Sequence, residues 1–471
     1  MADLRFHGPI PGAPFLMLPR LEPADAGYRR EEWFVSGSAT AYESVEASAD
    51  GRPVDRAPFE TRIVVYRPDD PGCFNGSVFV EWLNVSGGLD AAPDFMFLHR
   101  HLMREGAAWV GVSAQRAGIE GGGLVSGMPL KRAAPDRYRR LDHPGDAYAL
   151  GLYGAVGQAL REAGLAGPLA ELEIERVFAI GESQSAGFLV TYVNRVDRLD
   201  GCFDGFLIHG RPGAAARLDG DYLTAAAKGD VAGSARAMRG AQRMRQDLRV
   251  PVLTVQSETD VTRLGSGRAR QADAENFRLW EIAGAAHFDT YGLVAAHVDR
   301  EGVDISELAG ALEPVSEFMG AALAAPINAG PQQHYVLHAA IKHLEAWARE
   351  GTPAPSAPRL EGANEEASVL TRDELGIARG GIRTPWVEAP TAVLSGAPQD
   401  GEGFVFLLGQ TRALERAELL RLYPGGRADH LRRYEAALEA ALSAGFLLSD
   451  DASEIRALGR LGRQPSGWGE G

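Results

Sequence analysis

Arg176-Val177-Phe178-Ala179-Ile180-Gly181-Glu182-Ser183-Gln184-Ser185-Ala186-Gly187 is the stretch that decides the fold. Val177 to Ile180 form an unbroken apolar run, as in a strand buried on both faces. Small residues follow, and Phe188-Leu189-Val190 then resume an apolar pattern suited to a helix. The reading is strand, tight turn, helix, with Ser183 at the apex. Such a turn demands small neighbours two residues either side of its apex, and Gly181 and Ser185 meet that demand. The geometry lifts the Ser183 hydroxyl above the sheet and aims a helix N-terminus at whatever reacts with it. Ser183 is the candidate nucleophile, and the backbone N–H of Gln184 is a candidate donor to a developing oxyanion.

Working outward, short β-rich runs alternate with helical patterns through the first two-thirds of the chain. Candidate strands are Glu32 to Tyr42, Glu60 to Tyr66, Ser77 to Trp82, Ala108 to Ser113, Arg176 to Ile180, Gly205 to Ile208, Val252 to Val255 and Arg278 to Ile282. Helical stretches run from Asp94 to Arg104, Asp146 to Glu162 and Ser185 to Asn194. This alternation predicts an α/β fold: a mainly parallel eight-stranded sheet with helices on both faces. Only loop residues separate the first two strands, so the sheet is expected to start antiparallel. Two insertions, 211–249 and 298–331, lie where a cap over a pocket would sit, and extra surface helices are the equal alternative for either one. A helix from Gln333 to Arg349 closes a catalytic domain of residues 1–350. Residues 351–358 read as a stiff, proline-rich linker. Residues 359–471 form a C-terminal extension with helices expected at Ala413 to Leu422 and Ala428 to Ala444.

Two further strand ends carry chemistry. Val250-Pro251-Val252-Leu253-Thr254-Val255-Gln256-Ser257-Glu258-Thr259-Asp260 ends a buried strand in a turn with two carboxylates. Asp260 sits a few residues beyond the strand, where an acid that orients a histidine belongs, and Glu258 is its rival. Gly284-Ala285-Ala286-His287 puts a histidine at a loop tip after the last strand, with small residues giving the ring room. The order Ser183, acid, His287 differs from the chymotrypsin and subtilisin orders and is that of α/β hydrolases. After the third strand, Asn84-Val85-Ser86-Gly87-Gly88 is where a second oxyanion donor is expected, from the backbone of Asn84 or Val85. Gly111-Val112-Ser113 is a decoy: it follows a strand, but loop is expected next, not a helix.

The local wording resembles the large bacterial and fungal proteins described as α/β-hydrolase domain-containing. The segments concerned are Val80 to Gly88, Gly111 to Gln115, His143 to Tyr148, Gly181 to Ala186, Glu258 to Val261, and Gly380 to Pro385. They reach past the proline-rich linker, so the resemblance implies that residues 359–471 pack on the catalytic core as part of one enzyme. It implies an esterase-like activity of undefined substrate, and the serine mechanism needs no cofactor and no metal. On the triad Ser183, His287 and Asp260, the expectation is cleavage of a small-molecule carboxylic ester. Acyl transfer, or thioester or amide cleavage, needs the same residues, and a ligand-binding member of the fold would need a broken triad.

Composition limits the partners. The chain has 471 residues and a formal charge of -15. That acidity argues against nucleic acid and against anionic lipid. Two cysteines, Cys73 and Cys202, make no disulfide framework. No leader-like start and no apolar run of about 18 residues is present, so a cytoplasmic, non-membrane protein is expected. Oligomeric state is not legible. Asp146 is expected to cap a helix, and His209 to line a pocket or serve as a structural histidine. His334 and His338 share a helix face at i, i+4, but with no H-E-x-x-H and no supporting cysteine no metal site is expected. Arg383, in a Gly-rich loop, is expected to contact a substrate carboxylate or, in preference, to clamp the tail to the core.

Overall fold

The computed structural model describes residues 4–43, 50–122, 127–162, 167–220, 241–363, 369–401 and 403–461. The chain forms two compact units. One comprises residues 1–252 and 274–277, the other residues 253–273 and 278–471. The dividing line thus falls at the start of the seventh predicted strand, whereas the proline-rich segment at 351–358 lies inside the second unit.

The first unit is built on strands β1 (Arg5–His7), β2 (Tyr28–Glu43), β3 (Arg52–Pro68), β4 (Ser77–Trp82), β5 (Ala108–Val112), β6 (Arg176–Glu182) and β7 (Gly205–His209). Their order is β1-β2-β3-β5-β4-β6-β7. β1 to β3 and the β3/β5 pair are antiparallel, while β5, β4, β6 and β7 run parallel. The expected antiparallel start is therefore present. β1 was not legible, because three residues with mixed burial carry no periodic signal.

β4 to β7 are buried along nearly all their length. That explains their continuous apolar runs: parallel strands covered on both faces have no polar side to alternate with. Three helices position the site: α1 (Pro93–Arg104), α2 (Ala149–Glu162) and α3 (Gln184–Arg195). Proline opens α1, where its missing N–H costs nothing. The next two N–H groups, of Asp94 and Phe95, donate to the Glu81 carboxylate on β4 at 3.0 and 2.9 Å. α3 lays Phe188 on Trp82 of β4, ring centroids 4.9 Å apart.

Asp146 does not cap α2. It accepts the backbone N–H of Arg116 at 2.7 Å, and a short 3-10 turn leads into the helix. A short helix, Arg116–Glu120, follows Ser113, where loop was expected. Of the insertion at 211–249, residues 221–240 lie outside the described residues.

The second unit contains neighbouring strands β8 (Val252–Ser257, all but its first residue) and β9 (Phe277–Ile282, from Arg278 onward), and the long helix α5 (Gln332–Glu350). A short helix, α4 (Glu258–Thr262), leaves β8 directly. The segment at 298–331 holds one helix, Ile305–Ala311, and a two-residue hairpin. The tail supplies β10 (Ala392–Ser395) paired with β11 (Gln410–Ala413), then α6 (Gly426–Ser443) and α7 (Ser449–Leu461). α7 was not anticipated.

Residues 351–358 are no free spacer. The Ala354 and Pro355 carbonyls accept from Arg278 Nε and Trp280 Nε1, at 2.9 and 2.8 Å. Tail residues Leu360, Ile377, Val387, Val393, Leu414 and Leu419 share one apolar core with Val261 and Ala283. Apolar burial of this extent ties the extension to the strand ends that carry Asp260 and His287.

Candidate active site

The elbow has the backbone its sequence demands. Ser183 has φ 62° and ψ -120°, and Met319 is the one other described non-glycine residue with positive φ. A side chain held there costs about 1–3 kcal/mol and persists only where its surroundings over-determine it. Here they do. The Ser183 N–H donates to the His209 carbonyl at 3.0 Å, and its own carbonyl accepts the Gly187 N–H at 3.2 Å, opening α3. A Cβ at Gly181 would lie 2.9 Å from Leu189 and 3.3 Å from the Ser185 Cβ, hence the small residues. Gly181, Glu182, Gln184 and Ser185 are buried, and Ser183 alone in the turn is partly exposed.

Gln184 begins α3, so its backbone N–H belongs to the helix turn that has no internal acceptor. Its side-chain amide donates to Gln115 Oε1 at 2.7 Å, an oxygen shared with Trp82 Nε1 at 3.1 Å. The segment after β4 needs a correction. The Asn84 backbone N–H is committed to the Ala91 carbonyl at 2.9 Å, which removes it as an oxyanion donor and leaves Val85. Asn84 instead works through its side chain. Nδ2 donates to the Glu182 carbonyl at 3.1 Å and Oδ1 accepts the Ser86 N–H at 2.8 Å, pinning the β4 exit to the elbow.

Next to the elbow strand lies a buried polar cluster of which the sequence flagged only His209. His209 Nδ1 meets Asp94 Oδ1 at 2.8 Å, and Glu81 also accepts Trp109 Nε1 at 2.9 Å. Burial, with the Asp94 carboxylate adding to it, pushes the Glu81 carboxyl well above the usual carboxylate range. A glutamate inside an otherwise apolar strand, Val78-Phe79-Val80-Glu81-Trp82, was the signal available. The decoy Ser113 is spent on structure: its hydroxyl donates to Asp90 at 2.5 Å and accepts from Arg62 Nε at 2.9 Å.

The second unit carries the acid and the histidine. His287 Nδ1 meets Asp260 Oδ1 at 2.5 Å, and both side chains are buried. Asp260 Oδ2 accepts the Ser257 N–H at 2.6 Å and the Ser257 hydroxyl at 2.8 Å, so a capping box fixes the carboxylate. Glu258, the rival, faces elsewhere: it accepts the Gly284 N–H at 2.7 Å, the Gly396 N–H at 3.1 Å and Arg372 Nη2 at 2.9 Å. Burial raises its carboxyl above the usual range, and Arg372 and the two N–H groups oppose that rise. Beyond His287, Gln333 Nε2 reaches the His287 carbonyl at 3.4 Å.

The remaining expectations resolve into structure. His334 stacks on Tyr291 at 3.9 Å and lies 3.5 Å from Asp299, while His338 Nδ1 meets Asp451 at 2.9 Å. Arg383 does not clamp the tail to the core: it donates to the Ala378 carbonyl at 2.6 Å and pairs with Glu388, both inside the tail. Among the described residues, no group of three or more His, Cys, Asp or Glu side chains is placed to hold a metal ion. No helix among them is long and apolar enough to cross a membrane. Cys202 is buried and Cys73 exposed, both as free thiols.

A strand-end serine in a left-handed turn and an Asp–His pair after later strands, in this chain order, define an α/β-hydrolase fold. The sequence model of the family described as an alpha/beta hydrolase domain matches residues 6–457, and the chain belongs to that family. Among solved structures, it is similar to a thermostable esterase from Pseudomonas putida ECU1011 (14% identity, TM-score 0.28, 51% of this chain and 66% of that one). The match thus spans slightly less than two-thirds of that esterase. Further similarities are to esterases of Rhizomucor miehei (14%, TM-score 0.29, 55% and 75%) and a lipase/esterase of Lactobacillus plantarum (14%, TM-score 0.26, 48% and 78%). Comparison with curated proteins gave no match.

Proposed function

We propose that this protein is a serine hydrolase that cleaves a small-molecule carboxylic ester through an acyl-enzyme on Ser183. The observation that carries the reading is the Ser183 backbone, a non-glycine residue held at φ 62° between a buried strand and a helix. Strain of this kind has a use when it exposes a nucleophile. His287 Nε2 takes the Ser183 proton as Oγ attacks the ester carbonyl. Asp260 holds the Nδ1–H, which fixes the tautomer and stabilises the imidazolium that forms. The N–H groups of Gln184 and Val85 receive the oxyanion. His287 then gives the proton to the leaving alkoxide. A water molecule, deprotonated by the same imidazole, attacks the acyl carbonyl and releases acid and free Ser183.

The test is labelling with a fluorophosphonate followed by peptide mapping and an ester panel. One adduct on the peptide carrying Ser183, absent from the His287→Ala variant, with turnover of at least one ester, is expected. An adduct on Ser185 or Ser113 would overturn the elbow assignment. No adduct would overturn the catalytic reading in favour of a ligand-binding protein. A product made from an added alcohol faster than free acid would make the protein an acyltransferase.

A further inference from the structure

We propose that Glu258 and Arg372 are positioning residues: a buried carboxylate tied to the C-terminal extension that keeps the His287 loop in register with Asp260. The inference rests on the reading of Asp260 and His287 as the acid–base pair.

Glu258 stands two residues before Asp260 in α4, and Gly284 stands three before His287. One Glu258 oxygen accepts the Gly284 N–H, so the acid's helix and the histidine's loop are joined at one atom. The Glu258 N–H returns the contact to the Ala285 carbonyl at 3.2 Å. The other oxygen takes two donors from the extension, the Gly396 N–H and Arg372 Nη2. Thr259 Oγ1 donates back to the Gly396 carbonyl at 2.8 Å.

The carboxylate is fully buried, and Arg372 is its one cationic partner among the described ion pairs. Without Arg372 the carboxyl must be protonated or draw in water, and its hold on both N–H groups weakens. Space is as tight as charge. A Cβ at Gly396 would stand 2.6 Å from the Ala285 oxygen, the Glu258 Cβ and the Thr259 nitrogen. Asn328 and Gln332 brace the other side, each donating to the Gly284 carbonyl, at 2.7 and 2.6 Å. Gly284, three residues before His287, is thus held at both its N–H and its carbonyl, and the N–H side depends on Arg372 through Glu258.

The test compares wild type, Arg372→Gln, Arg372→Lys and Gly396→Ala. The first readout is the far-downfield proton resonance of His287 Nδ1, assigned by its loss in His287→Ala. The second is kcat and KM on a p-nitrophenyl ester, with circular dichroism as the check on folding. In folded Arg372→Gln the resonance is expected to broaden or vanish and kcat to fall about 10- to 100-fold, the scale set by misplacement of a catalytic group. KM should stay within about twofold, since uniform binding is untouched. Arg372→Lys restores the charge and should recover most of the loss. A sharp resonance with unchanged kcat in folded Arg372→Gln and Gly396→Ala would overturn the proposal. If wild type neither labels nor turns over ester, the catalytic reading fails, while the resonance still reports whether Arg372 holds the Asp260–His287 pair.

Discussion

Asp260→Asn separates orientation of His287 from all other contributions. Asp260 Oδ2 faces two donors, the Ser257 N–H at 2.6 Å and its hydroxyl at 2.8 Å, and Oδ1 faces His287 Nδ1 at 2.5 Å. An asparagine has one oxygen for three donors. The Ser257 N–H cannot accept, so the amide oxygen goes to that side and the NH2 group turns to His287. Nδ1 is then forced to accept, its proton moves to Nε2, and the imidazole cannot take the serine proton. The chymotrypsin-type triad, the system in which this substitution is best understood, loses about 10⁴ in kcat by this route. The same loss here is about 5 kcal/mol of transition-state stabilisation, at about 1.4 kcal/mol per tenfold. Stability should change by no more than about 1 kcal/mol, because every hydrogen-bond position stays filled. Burst kinetics on a p-nitrophenyl ester, with urea unfolding of the same samples, measures both. A kcat within tenfold of wild type, in a protein that labels on Ser183, would refute the tautomer argument.

Two structural predictions are independent of catalysis. Gly151→Ala would gain about 1 kcal/mol from helix propensity alone. However, its Cβ would stand 2.1 Å from the Thr40 carbonyl of β2, so a net loss of about 1–3 kcal/mol is expected in urea unfolding. Asp200 is pushed by burial from 3.8 to about 6 and receives the Tyr192 hydroxyl. A carboxyl with a raised folded-state value stabilises the fold below its unfolded value and loses that contribution as pH rises through about 6. Asp200→Asn, neutral throughout and still able to accept from Tyr192, should therefore gain on wild type between pH 4 and 7, by at most about 3 kcal/mol. A flat difference in melting temperature across that range would contradict it.

Local sequence accounted for the elbow and for the strands behind it. All eight predicted strands are present, seven of them within about four residues of their predicted limits; the second, expected from Glu60, begins eight residues earlier at Arg52, and α1, α2, α3 and α5 lie where their apolar periodicity put them. The Ser183 turn was legible because its cause is local: small residues at Gly181 and Ser185, and a helix that must start at once. The three-residue β1 was not, since a strand that short is held by its partner and not by its own pattern.

Tertiary structure decided what depends on a distant partner. Spacing favoured Asp260 over Glu258 and kept Glu258 as a rival. In the structure Asp260 meets His287 and is capped by Ser257, while Gly284, Gly396 and Arg372 claim Glu258. Likewise Asn84 and Val85 were equal in sequence until the Ala91 carbonyl took one N–H. The extension's tie to the acid and histidine loops rests on contacts more than 100 residues apart along the chain, such as Glu258 to Arg372 and Gly396. Chain order and turn sterics are properties of neighbouring residues and can be read in sequence. Which lone pair meets which donor is settled only when the chain has closed on itself.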